Sequence, residues 1–302
     1  MKNNFTLKGS VVPLVTPLTA KYELDAEALS RLLEFHRMNG TAAVFLLGTC
    51  GEGACLDDAV KLSLVKQVLK ETPLPVLAGI AETGTGRAVN WARIFRDTGV
   101  SAIVLMPPTF QFALSPEEHY SHVCSVADAV RGTPLILYNM PKKCGGAIPI
   151  CAIEQIVKEG LICAIKDSSG DIPYIEELLR LRDRYRSFTV LNGELRTAAQ
   201  ALSLGVDGLV MSYTNVDPAS CCALITTASD GKSELAAEMQ AEFVATWNLF
   251  PPAASPVAKV KSILAGLGLC STLCQAPTKA LPALLPDNIK SLVKGVLTYA
   301  AP

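Results

Sequence analysis

"ICAIKDSS", residues 162–169, decides how the fold is read. Ile162, Cys163, Ala164 and Ile165 make the unbroken apolar run of a strand buried on both faces. Lys166 follows at once, with Asp167, Ser168 and Ser169 behind it, and Asp171-Ile172-Pro173 then opens a helix. A buried ammonium is costly unless it is paired or loses its proton. Lys166 is therefore either half of a strand-end ion pair, with Asp167 or Glu194, or a reactive amine.

Seven further runs share this form. They are 10–18, 42–49, 75–81 and 102–108, then 134–141, 188–194 and 208–215. Amphipathic helical stretches separate them. In 25–38, Leu29, Leu32, Leu33 and Phe35 make an apolar stripe behind an Asp25 cap, and 115–130 opens on Ser115, Pro116 and two glutamates. Gly40, Gly99 and Gly205 each close a helix before a strand. Eight strand–helix units in about 230 residues predict a closed (β/α)8 TIM barrel rather than an open doubly wound sheet. The open alternative wants a glycine fingerprint, and "ETGTGRAVN" has Val89 where its third glycine belongs. Beyond residue 229 only helical patterns follow, at 233–250, 256–268 and 288–300, with Pro251 and Pro252 as a break. These readings place a catalytic barrel over 1–229 and a C-terminal helical region over 230–302.

Composition narrows the function. Of 302 residues half are hydrophobic and 18% charged, with a net charge of -1. That balance offers no footprint for nucleic acid or an anionic membrane. Mean hydropathy is positive, yet the apolar runs span about 5–8 residues where a crossing helix needs roughly 20. The first residues, "MKNNFTLKGS", have no apolar signal core, so a soluble cytoplasmic protein is expected. Ten cysteines suit a reducing compartment, several of them (Cys124, Cys151, Cys163, Cys221, Cys222) as small core residues. Cys270 and Cys274 would need two more ligands to hold a metal, and His36, His119 and His122 repeat no zinc spacing. No metal is expected.

In such a barrel the chemistry sits at the C-terminal strand ends. These carry Gly48-Thr49-Cys50-Gly51-Glu52, Glu82-Thr83, Thr109, Tyr138-Asn139, Lys166-Asp167-Ser168, Gly193-Glu194 and Ser212 through Asn215. Lys166 is the only amine on a strand, and Tyr138 ends the strand before it. Adjacent strands lie about 4.8 Å apart, so the two side chains can meet. Desolvation favours a free amine, which adds to a ketone as a Schiff base. A nearby phenol can shuttle the protons. The glycines around Thr49-Cys50 leave amides open as an anion nest. Plainer readings stay open: an ion pair for Lys166, an aromatic plug for Tyr138, a tight turn for residues 48–53.

Together the motifs "GSVVPLVTP", "GTCGEG", "YNMP", "IKDSSGD" and "GVDGLVMSYTNVDP" are identified with a known group. The chain resembles the dihydrodipicolinate synthase / N-acetylneuraminate lyase family of class I aldolases over essentially its whole length. The resemblance implies a Schiff-base lysine at Lys166, a proton-transfer tyrosine at Tyr138, and a keto-acid carboxylate held at Thr49-Cys50. It also implies a homotetramer or homodimer of barrels. No cofactor beyond the covalent imine is expected. Catalytic candidates are thus Lys166, Tyr138 and Thr49; substrate-binding candidates are Gly48, Thr49, Cys50, Lys143, Gly193 and Ser212.

Four departures bear on the substrate. Lys143 stands where the synthase has a carboxylate-gripping arginine, and Cys144 where it has threonine. "PPTFQFALS" lacks the synthase's paired tyrosines, one of which reaches a neighbouring subunit. Glu194-Leu195-Arg196 does not reproduce the lyases' Asp-Glu pair, and Cys50 replaces a threonine. The expected activity is a Schiff-base lyase or aldolase acting on pyruvate or a 2-keto-3-deoxy acid. Alternatives are dihydrodipicolinate synthesis, N-acetylneuraminate cleavage, or a 2-oxo acid-binding barrel without turnover. Whether Glu194, Arg196 or Thr109 touches substrate is left open.

Overall fold

The computed structural model describes residues 5–186 and 188–290. Eight parallel strands close on themselves in sequence order. They are β1 (Gly9–Pro13), β2 (Ala43–Leu46), β3 (Val76–Ile80), β4 (Ala102–Leu105), β5 (Leu135–Asn139), β6 (Ala164–Asp167), β7 (Thr189–Asn192) and β8 (Gly208–Leu209). Helices α1 (Ala26–Met38), α2 (Asp58–Glu71), α3 (Thr85–Thr98) and α4 (Pro116–Ala129) follow the first four strands. After the others come α5 (Ile150–Lys158), α6 (Ile172–Tyr185), α7 (Ala198–Ser203) and α8 (Pro218–Ser229). The expected barrel is present.

Side-chain alternation sorts each strand between two cores. Phe45, Leu77, Val104, Ile136, Ala164 and Leu191 fill the barrel interior. Their neighbours Val44, Leu46, Ile103, Leu137, Ile165 and Val190 point outward into a larger cluster shared with the helices. Both faces are thus apolar, which is why these strands read as continuous runs. Helix starts follow the sequence signals: Asp25 accepts from the Ala28 amide, Asp171 accepts from Tyr174, and Ser115 with Glu118 makes a reciprocal capping box.

Every strand is shorter than its apolar run. After β1 the Leu14 amide makes a last ladder bond to the Phe45 carbonyl at 2.9 Å, and Val15 through Leu18 stay buried beyond it. Asn215 takes over the pairing there: its Oδ1 accepts from the Val15 amide at 3.0 Å and its Nδ2 donates to the Pro13 carbonyl at 2.9 Å. β8 is two residues long, and Ser212–Asn215 form a 3-10 turn rather than a strand. Cysteine burial also differs in part from expectation. Cys163 and Cys221 are buried, Cys124 and Cys222 only half so, and Cys151 is exposed.

Beyond the barrel, α9 (Ser233–Asn248) and α10 (Pro256–Gly266) pack back onto it. Tyr213 stacks on Phe243 of α9 at 4.4 Å between centroids and meets Trp247 edge-on. A short α11 (Asp287–Lys290) starts the last expected helix, the rest of which, to residue 300, lies outside the described residues.

Candidate active site

Parallel register places Tyr138 of β5 beside Lys166 of β6, and Asn139 beside Asp167. Alternation then separates the pairs. Tyr138 belongs to the interior cluster, and the Lys166 Nζ lies 3.7 Å from the centre of its ring. Phe45 of β2 closes the other side, 5.5 Å from the amine and edge-on to Tyr138 at 6.3 Å. The Lys166 nitrogen is thus buried against two aromatic rings, which offer it no oxygen acceptor.

The ion-pair partners considered for Lys166 are engaged elsewhere. Asp167 accepts from Asn139 Nδ2 at 2.6 Å and from the Ser169 hydroxyl at 2.7 Å. Burial raises its carboxyl above the ordinary aspartate value, against those hydrogen bonds. Glu194 accepts from the Arg196 amide in its own turn. Lys166 makes no ion pair or hydrogen bond among the described residues. Tyr138, buried as a plug would be, also leaves its hydroxyl without a partner there.

Gly193 makes room for the lysine. A Cβ on it would stand 2.1 Å from Ser168 Oγ and 2.8 Å from Lys166 Cε. Gly48 serves Phe45 in the same way, since its Cβ would approach that ring to 2.8 Å. In the β2 loop Thr49 is exposed while Cys50 is buried. Neither amide donates to another backbone carbonyl or side chain among the described residues. Burial pushes the Cys50 thiol up to about 11, although the nearby Lys166 charge favours its thiolate. It is a neutral thiol at neutral pH.

The other candidates take their contacts from other partners. Lys143 is exposed on a 3-10 turn, Pro141–Lys143, and ion-pairs with no described residue. Cys144 is buried, its sulfur 3.5 Å from the Pro107 carbonyl. Ser212 is half-buried at the start of its 3-10 turn. Arg196 bonds to Asn248 of α9 at 3.1 Å, and the Thr109 amide to the Glu82 carbonyl at 3.0 Å. Phe110 and Phe112 are 95% and 94% exposed. Among the described residues no three His, Cys, Asp or Glu side chains gather as a metal site.

Two features escaped the sequence reading. Phe45 was one more residue of an apolar run, with nothing to mark its ring as the lysine's neighbour. Glu52 pairs with Lys261 across 209 residues, a separation that no local pattern bridges.

Residues 6–295 match the Dihydrodipicolinate synthetase family. The chain belongs to that family. Family membership makes it an enzyme, a lyase of the Schiff-base aldolase type. The chain is 34% identical to the 4-hydroxy-tetrahydrodipicolinate synthase of Ectopseudomonas mendocina, with 76% of this chain and 78% of that protein covered. It is 30% identical to the same enzyme of Stutzerimonas stutzeri over 96% and 99%. Among solved structures, the dihydrodipicolinate synthase of Bacteroides thetaiotaomicron superimposes with a TM-score of 0.85 at 28% identity, covering 98% and 99%. That of Acinetobacter baumannii, complexed with pyruvate, gives 0.82 at 25% identity, over 98% and 99%. The family's barrel and this chain's barrel are the same fold.

Proposed function

We propose that this family member condenses or cleaves 2-oxo acids through an imine on Lys166, with pyruvate or a 2-keto-3-deoxy acid as substrate. The observation that carries the reading is the Lys166 amine, without an ion-pair partner among the described residues, lying 3.7 Å over the Tyr138 ring in an apolar interior. Its nitrogen adds to the C2 carbonyl, and loss of water leaves the imine. A proton lost from C3 then gives an enamine, whose carbon attacks an aldehyde. The alkoxide takes up a proton, and water hydrolyses the product imine to free the amine; cleavage runs the same steps in reverse. Tyr138 moves the protons, and Thr49 with Cys50 and Gly48 receives the carboxylate on open amides. Lys143, Gly193 and Ser212 border the acceptor side. The imine is itself the electron sink, so no separate cofactor is required.

Incubation with pyruvate and borohydride is expected to add a reduced three-carbon adduct at Lys166, read by mass spectrometry. No adduct with any of a panel of 2-oxo acids sinks the proposal. A second reading, 4-hydroxy-tetrahydrodipicolinate synthesis, is favoured by the names of the curated relatives. Lys143 in place of an arginine fork and the tyrosine-free 107–114 segment weigh against it. A coupled reductase assay with aspartate semialdehyde separates the two. N-acetylneuraminate cleavage has less support, since Glu194 and Arg196 are tied to their own turn and to α9.

Association of barrels into a dimer or tetramer belongs to the same proposal. The loop after β4 is fixed, with Gln111 Nε2 on the Thr83 carbonyl at 3.0 Å and Gly145 packed under residues 111–113. It nonetheless presents the Phe110 and Phe112 rings almost fully to solvent, which suits a protein contact. A cytoplasmic location fits an enzyme of central 2-oxo acids, and no described helix is long and apolar enough to cross a membrane.

A further inference from the structure

We propose that Glu52, held by Lys261 of α10, is a positioning residue that keeps the Thr49 and Cys50 amides open for the substrate carboxylate. This deepens the function proposed above and rests on it. The cradle lies between two non-glycine residues in left-handed backbone, Leu47 at φ 60° and Glu52 at φ 56°. Such conformations persist only where the surroundings over-determine them. At the near end, close backbone approach does so. A Cβ on Gly53 would stand 2.0 Å from the Leu47 carbonyl oxygen, and one on Gly79 of β3 2.9 Å from the same atom.

At the far end side chains provide the hold. Lys261 Nζ donates to Glu52 Oε2 at 2.5 Å and to the Leu273 carbonyl at 2.6 Å. Glu52 Oε1 accepts from the Gln275 amide at 2.5 Å. Thr16 Oγ1 adds a bond to the Gly51 carbonyl at 2.7 Å. The C-terminal helical region is thereby tied to the loop that carries the cradle.

An ion pair this deeply buried (side chains 0% and 4% exposed) is a poor source of net stability, because desolvation offsets its attraction. Apolar residues of similar size would fill the space as well. What they would not do is fix the Glu52 carboxylate, and with it the backbone of residues 49–52, in one orientation. Lys261 also cancels a negative charge that would otherwise repel an anionic substrate close by.

The test compares Glu52→Gln, Lys261→Met and the double variant with the unchanged enzyme. Each is titrated with pyruvate, and separately with pyruvamide, whose neutral amide replaces the carboxylate. The borohydride-trapped fraction at Lys166 is the readout. In each variant the half-saturating pyruvate concentration is expected to rise about tenfold or more, the loss of one charge-assisted hydrogen bond. The plateau should hold, and the pyruvamide curve should move less than about twofold, a split that general loosening of the fold would not produce. The double variant leaves no buried charge unpaired, so it keeps the test open where a single variant fails to fold. Unchanged pyruvate half-saturation in the folded double variant, or equal losses for pyruvate and pyruvamide, overturns the inference. No adduct in the unchanged enzyme overturns the proposed function and this inference together.

Discussion

Lys166 is expensive to the fold in the place it occupies: an amine without an anionic partner among the described residues, against two aromatic rings. Lys166→Met should abolish borohydride trapping, yet leave the melting temperature equal or higher, by about 1 kcal/mol of stability. A lysine whose role was structural would give the opposite sign in calorimetry. Tyr138→Phe keeps the ring against Phe45 and removes only a hydroxyl without a described partner. Its imine formation should slow by about 100-fold or more in stopped-flow trapping, with stability changed by less than about 1 kcal/mol. Gly193→Ala tests the steric argument, since the added carbon overlaps Ser168 Oγ and crowds Lys166 Cε. It should cost about 1–3 kcal/mol in denaturant titration and depress trapping at Lys166.

At the scale of elements, helices α1 and α4 carry their histidines inward. His36 sits at the end of α1, its ring 3.1 Å from the Thr41 hydroxyl, and burial pushes it down from 6.5 to about 3. His122 of α4 meets Thr85 at 2.9 Å and is pushed down to about 4, again chiefly by burial. Between those values and 6.5 the unfolded chain binds the proton and the folded one does not. Stability is therefore full above pH 6.5 and lost as pH falls toward 3, by up to about 1.4 kcal/mol per pH unit for each histidine. Denaturant titrations at pH 7 and pH 5 should show this slope, and His36→Gln should remove one proton's share of it. An unchanged slope would remove His36 from the account. The strand ends were the least legible elements. Val15 to Leu18 and Tyr213 to Asn215 are as buried as any strand, so burial prolongs the apolar pattern past the last ladder bond.

For the whole molecule, the exposed rings beside the barrel mouth set the expectation for assembly. Phe110→Asp with Phe112→Asp should shift the sedimenting species to a single barrel, while protomer stability stays within about 0.5 kcal/mol, as surface changes do. The same size for both proteins would discard this loop as the contact. The C-terminal helices are part of the barrel's own packing through Tyr213, Phe243 and Trp247. They are also part of its proposed chemistry, through Lys261 and Glu52.

The sequence by itself determined the eight parallel strands, because strands covered on both faces must be apolar throughout, and the amine at the end of the sixth, because a charge there breaks that rule. Its neighbour Tyr138 followed from strand adjacency alone. Only the tertiary structure decided that Phe45 faces the same amine, that Asp167 turns to Asn139 instead, and that Gly193 is there for its missing carbon. Only it joined Glu52 to Lys261. Periodicity is a property of neighbours along the chain and is written in the residues. Contacts between distant segments depend on how the barrel closes, which no single stretch records.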